Sequence, residues 1–193
     1  MRKQIATARL SLVLMTAVVA SSWVLAQSNF QKEEFNAVAI VNNSLGAGAG
    51  RVIIRVDRWS SEAERTRLVN TLLQKGPEKL LDVLSDNKST GTIRTPDSLA
   101  YDLRYAHQSP GEDGGRRIVI ATDRPVSFWE ARNQPRLSTY PFTVIQMQIG
   151  RDGKGRGTMS YATKITVKDN TIELENFGTA PVMLTDIEAK PIR

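Results

Sequence analysis

The stretch Lys164-Ile165-Thr166-Val167-Lys168-Asp169-Asn170-Thr171-Ile172-Glu173-Leu174-Glu175 decides the architecture. With Asp169-Asn170 as a two-residue hairpin turn, Lys168 faces Thr171 across the ladder. Val167 then meets Ile172 and Ile165 meets Leu174 on one face, while Thr166 meets Glu173 and Lys164 meets Glu175 on the other. Apolar residues pair with apolar ones and a cation with an anion, the combination that stabilises adjacent antiparallel strands. A slip of one residue would spoil both faces, so the register is specified as well as the pairing.

Working outward, Phe142 to Ile149 places Ile145, Met147 and Ile149 in alternation, and the glycine-rich turn Gly150 to Gly157 returns the chain toward Met159 and Tyr161. Val182 to Ala189 reads as a last strand after a turn at Gly178 to Pro181. The C-terminal third is therefore an antiparallel meander. Before it, Leu99, Tyr101, Leu103 and Tyr105 alternate with Ala100, Asp102, Arg104 and Ala106, with His107 in register with the tyrosines. Ser109 to Gly115 is a turn, and Arg116 to Thr122 returns as a strand. Its Ile118, Val119, Ile120 and Ala121 are apolar on both faces, which predicts a central position.

Near the start, Phe35 to Asn42 and Arg51 to Trp59 read as strands rich in β-branched residues, joined by Asn43 to Gly50 as a flexible connection. Gly46, Gly48 and Gly50 have the spacing of a phosphate loop, but a strand follows them where such a loop needs a helix N-terminus. Ser60 to Gln74 predicts a helix. Ser61-x-x-Glu64 forms a capping box and Leu68, Val69, Leu72 and Leu73 make an apolar stripe. Gly76 and Pro77 stop it, and Pro77 to Asp86, with Leu80, Leu81 and Leu84, adds a second helix to make a helical hairpin. The fold class read from these elements is α+β. A mostly antiparallel sheet of about eight or nine strands curls into a barrel or sandwich, with one helical hairpin inserted after the second strand.

Residues Met1 to Ala26 have the form of a signal peptide: basic Arg2, Lys3 and Arg9, an apolar run Leu10 to Ala20, and Val24-Leu25-Ala26 as cleavage site. Three of the 26 basic residues and none of the 20 acidic ones lie in it, so residues 27–193 carry 23 against 20, a net of +3. That removes most of the case for nucleic acid. Export to the periplasm or the cell exterior is expected. A retained leader, whose Leu10 to Ala26 is at the short limit for a span, is the alternative and the one route to membrane attachment. Residues 27–193 are expected to form a single domain with a loose start over 27–34. The chain has no cysteine, which excludes disulfides, thiolate catalysis and a lipid-modified cysteine.

The densest mixture of charge and aromatic surface is Val119 to Pro135. Asp123, Arg124, Phe128, Trp129 and Glu130 there, with Tyr101 and Tyr105, are the candidate ligand-binding residues. Asp123 and Glu130 could act as the two carboxylates of a hydrolase, but a salt-bridged or capping role fits such residues better, and Phe128 with Trp129 is expected to close the sheet. His107 is the single histidine and stands in no recognised triad or nucleophile elbow. Gly150 to Gly155 has one carboxylate, too few oxygens for calcium. No catalytic residue, metal or cofactor is assigned. Arg51, Arg55, Arg58, Arg116, Arg117, Arg132, Arg136, Lys154 and Arg156 are scattered basic residues that would matter for anionic envelope polymers or lipids only if the fold gathers them.

Ile93-Arg94-Thr95-Pro96, Tyr101-Asp102-Leu103-Arg104-Tyr105 and Ala121-Thr122-Asp123-Arg124-Pro125 with Phe128-Trp129-Glu130-Ala131 together resemble a group of uncharacterised exported bacterial proteins. The resemblance spans most of the chain from Phe35; it implies a shared fold and carries no activity or functional residue. The function expected is non-catalytic: a periplasmic or secreted small-ligand-binding or envelope-associated domain, its ligand small and apolar or aromatic. The alternatives are a hydrolase using Asp123 and Glu130, or an interaction module docking by its helical hairpin or a strand edge.

Overall fold

The structure, a computed structural model, describes residues 30–43, 46–126, 141–168, 171–176 and 180–192. Ten strands and one α-helix are formed among them: β1 Glu33–Asn43, β2 Gly46–Val56, α1 Glu62–Ser85, β3 Gly91–Arg94, β4 Tyr101–Leu103, β5 Tyr105–Pro110, β6 Arg116–Thr122, β7 Phe142–Ile149, β8 Lys154–Lys168, β9 Thr171–Asn176 and β10 Val182–Pro191. Nine strands follow one path, β4-β3-β2-β1-β10-β8-β7-β6-β5, and β9 pairs with β8 beside it. Every pairing is antiparallel. The two ends of the path, β4 and β5, are separated in sequence by Arg104 alone, and the Arg104 N–H donates to Ala121 O of β6 at 2.9 Å. The sheet thereby curls back on itself into a nearly closed barrel.

The β8–β9 register is the one the side-chain pattern demands: Lys164↔Glu175, Ile165↔Leu174, Thr166↔Glu173, Val167↔Ile172 and Lys168↔Thr171. The turn residues Asp169 and Asn170 lie outside the described residues. β8 runs for 15 residues because two partners share one of its edges: β10 pairs with its first part and β9 with its last. β6 is central, between β5 and β7, as its two apolar faces require. Ile118 and Ile120 point into the main core with Phe35, Ile54, Ile93, Leu103, Ile145 and Met147. Ala121, on the other face, packs into a second cluster with Phe142, Val144, Ile165 and the helix leucines.

Several sequence expectations are corrected. The expected helical hairpin is not shown: 62–85 is one helical element, broken locally at Gly76 (φ 82°, ψ 176°), which leaves the helical region just before Pro77. Leu68, Leu72, Leu80 and Leu84 on both sides of that break reach the same cluster, which explains how the helix continues past a glycine-proline pair. The stretch read as a flexible connection is strand from Gly46, in unbroken register with β1 from Glu33↔Val56 to Asn43↔Gly46. The stretch expected to be a loose start gives way at Glu33, where β1 begins. The alternating segment around Leu103 is two strands, so its face switches at Arg104: Leu103 is fully buried in the main core, Tyr105 packs in the helix cluster, and Leu99 is 90% exposed. No helix among the described residues is long and apolar enough to cross a membrane.

The capping box at Ser61 is formed. Ser61 N–H donates to Glu64 Oε2 at 2.7 Å and Glu64 N–H to Ser61 Oγ at 3.2 Å. Arg58 adds a bidentate grip on the same carboxylate, with both contacts at 3.0 Å. Burial alone would raise the Glu64 carboxyl, but the bonds from Arg58 and Ser61 outweigh it and hold it below its ordinary value of 4.5. A depressed carboxyl contributes stability above pH 4.5 that is lost as the pH falls through its lowered value. Urea unfolding midpoints measured from about pH 6 down to about pH 3 should therefore fall more steeply for the native chain than for Glu64→Gln. Gly91, where β2, β3 and β4 meet, has φ +152°, and a Cβ there would lie 1.9 Å from the Arg55 carbonyl oxygen. We expect Gly91→Ala to cost ~3 kcal/mol or more, read as a lowered melting temperature or failure to fold.

Candidate functional site

Asp123 follows the last residue of β6, and its side chain is only 7% exposed. Arg104 Nε donates to Oδ2 at 3.1 Å and Arg124 Nε to Oδ1 at 3.3 Å, so both carboxylate oxygens are held by guanidinium groups. Arg104 also donates from Nη1 to Asn87 O at 3.1 Å and lies 3.8 Å from Asp102. Asn87 returns a bond from Nδ2 to Arg104 O at 3.4 Å, and its Oδ1 accepts from Arg67 of the helix. The carboxylate thus anchors the residue through which the barrel closes. A general base or nucleophile needs an oxygen turned to substrate, whereas this carboxylate is engaged by the largely buried Arg104 and by the exposed Arg124.

Among the described candidate residues, the two tyrosines do not gather around it. Tyr101 on β4 packs against the main core and Tyr105 on β5 against the helix cluster, so the two tyrosines serve different apolar layers. Burial pushes the Tyr105 phenol up to about 12; Arg65 opposes the rise, and Glu62 and Glu64 add to it. Its ring is stacked on His107, centroids 6.1 Å apart, and His107 Nε2 lies 2.8 Å from Glu62 Oε1 in the first turn of α1. His107 therefore fastens the helix start to β5. Phe128, Trp129 and Glu130 lie outside the described residues. A tryptophan that does seal the core is Trp59, 5% exposed, its Nε1 donating to Gln31 O at 3.0 Å and its ring edge-on to Phe30 at 6.2 Å.

The barrel interior is filled by side chains such as Phe35, Ile54, Ile93, Leu103 and Leu184, all fully buried. Among the described residues, a shallow groove of about 240 Å³ on the outer face is lined by Arg117, Gln146, Gln148, Arg156, Thr158 and Met183 among others. Register builds it. Gln148 pairs with Arg117 of β6 on one side and Arg156 of β8 on the other, and Thr158 pairs with Gln146 of β7 and Met183 of β10. Alternation turns these outward, while Ile118, Met147 and Met159 turn in. Arg117 Nη2 donates to Gln146 Oε1 at 3.3 Å. Gly157 lets β8 close on β7, since a Cβ there would meet Gln146 O at 2.3 Å. Met183, 48% exposed, pairs with Ile40 of β1, 39% exposed, to make an apolar shelf beside the arginines.

Two guanidiniums flanking a glutamine can hold an anion by charge-assisted bonds, and the shelf offers contact to an apolar body. Arg117 and Arg156 stand in the sequence among nine scattered basic residues. Counting back from Ile149 and forward from Gly155 across the tight turn sets Gln148 opposite Arg156, but nothing local brings Arg117 to the other side of Gln148. Among the described residues no cluster of three or more histidine, cysteine, aspartate or glutamate side chains could hold a metal ion.

Replacing Asp123 by asparagine should leave Arg104 with a weaker partner in a nearly enclosed place and cost about 2–3 kcal/mol. The measurement is thermal unfolding, with a drop of roughly 5–10 °C for a chain of this size. An unchanged melting temperature would mean that the ion pair does not hold the closure. In comparisons with family models, curated proteins and solved structures, nothing matches this chain.

Proposed function

We propose that this chain is an exported, non-catalytic binding domain of the cell envelope, whose working surface is the outer groove between Arg117 and Arg156 and whose ligand is anionic with an apolar body. The observation that carries the reading is the pair of arginines set on either side of Gln148 by the β6–β7–β8 register, beside Met183. Export rests on the leader-like Met1 to Ala26. An interior packed with side chains favours a ligand on the surface over one inside the barrel. A hydrolase reading is weakened by the engagement of Asp123 with Arg104 and Arg124.

The test is co-sedimentation with phosphatidylglycerol-containing and purely phosphatidylcholine vesicles at low ionic strength. Each basic residue at an anionic surface contributes on the order of 1 kcal/mol, so the double variant Arg117→Gln, Arg156→Gln should bind anionic vesicles ~10- to 30-fold more weakly. Added salt should weaken the native chain in the same sense. Equal binding to both vesicle types, or a double variant that binds like the native chain, would remove this surface as the site.

A further inference from the structure

β3 is short, and its shortness leaves β2 partly uncovered. Gly91–Arg94 pairs only with Ile53 to Val56 of β2. At Arg94 the chain turns away: Thr95 N–H donates to Ser98 Oγ at 3.0 Å, Ser98 N–H donates to Thr95 O at 3.3 Å, and Pro96 between them has no N–H for a ladder. Gly46 to Val52 therefore has β1 on one side and, among the described residues, no strand on the other. The orientation of its backbone groups follows from the ladder. A Cβ on Gly91 would lie 1.9 Å from Arg55 O, so that carbonyl faces β3. In an antiparallel ladder every second residue faces the same side, so Ile53, Arg51, Ala49 and Ala47 also turn their N–H and C=O groups away from β1.

Sheet edges are ordinarily guarded by lysine, proline, a bulge or a covering loop. Gly46 to Gly50 is alternating glycine and alanine, its register with β1 has no bulge, and a Cβ on Gly48 would meet nothing within 4 Å. A strand laid along this edge would continue the track of β3. On the outer face it would pass Arg51 and stand above Arg94, which pairs with Ile53 on that face. Neither guanidinium forms an ion pair among the described residues, and Arg94 has only a 3.4 Å bond to Pro96 O. The turn that begins after Arg94 contains one carboxylate, Asp97, and carries Leu99 at 90% exposure.

We propose that the β2 edge from Ala47 to Arg51 is a docking site for an extended, acidic segment of a partner protein, added to the sheet as one more strand. Backbone pairing supplies affinity, and Arg51 and Arg94 select carboxylates at alternate positions. The site is separate from the groove at Arg117 and Arg156 and does not depend on it.

The probe is a labelled seven-residue peptide alternating glutamate and valine, with blocked termini, titrated with the full chain in fluorescence anisotropy at low ionic strength. Saturable binding is expected. Ala49→Pro should weaken it about tenfold, since it removes an outward donor while sparing the β1 ladder, and its circular dichroism should match the native chain. Arg51→Glu should weaken it as well. A peptide N-methylated at alternate residues along its pairing edge should fail to bind the native chain, a result that stands even where Ala49→Pro does not fold. Absence of saturable binding, or binding that survives N-methylation, overturns the proposal. So does a native dimer that Ala49→Pro makes monomeric, because the occupant is then a second copy.

Discussion

Arg104 is the residue on which this barrel closes. One position separates the strand at one end of the sheet path from the strand at the other, and its backbone N–H is bonded to Ala121 O at 2.9 Å. Its guanidinium meets Asp123 and the Asn87 carbonyl, so the exit of β6 and the exit of α1 are tied to the same point. Thr90 extends this junction. Its N–H donates to Leu103 O at 2.7 Å, and its own carbonyl accepts from Asp57 at 2.9 Å and Arg58 at 3.2 Å. The ends of β2, α1, β4 and β6 thus converge on a few hydrogen bonds, several of them charge-assisted. A nearly buried arginine is stable in such a place only while its partners are present.

Closure divides the apolar residues into two layers. Ile145, Met147 and Ile149 face inward and Phe142 and Val144 outward along one strand, and the outward pair would be exposed but for α1. The helix is therefore part of the barrel's solvation. At a far corner, Glu33 of β1 and Arg116 of β6 form a bidentate pair, both contacts 2.7 Å, and Arg116 also donates to Gln108 at 3.0 Å. That pair joins β1 and β6, which are not neighbours in the sheet, and so ties distant parts of the strand path together.

Legibility in the sequence followed how local each determinant was. The Lys164 to Glu175 pairing could be read because both strands and their register lie within a dozen residues, and the Ser61 to Glu64 box because its partners are three apart. The two-faced apolar run Ile118 to Ala121 announced a covered strand without saying what covered it. The misreadings came where one local signal met a distant constraint. Glycines 46, 48 and 50 signal a loop, yet the long β1 ladder holds them extended. Gly76-Pro77 signals a stop, yet leucines on both sides find one apolar surface. The alternation through Leu103 signals one strand, yet barrel closure switches its face at Arg104. Of the described candidate residues, Asp123 and Arg124 come together, and as an anchor; the groove arginines are 39 residues apart and meet through β7, which no local pattern reveals.

The two surfaces proposed for binding share a cause. The apolar face of α1 packs on β5 to β8, so among the described residues no helix covers the outer face toward β10, β1 and β2. There the alternation that fills the core leaves Ile40, Met183 and Arg51 directed outward, and it does the same for Arg117 and Arg156 on the parts of β6 and β8 beyond the helix cluster. These side chains stand on strands already fixed by ladders on both sides, or on one side for the upper part of β2, so a ligand meets a surface whose geometry is set before it arrives. Such a surface needs little ordering on binding, and a modest number of charge-assisted contacts can then suffice for recognition. The same rigidity disfavours a site inside the barrel, where admitting a ligand would require displacing side chains packed against one another from opposite walls.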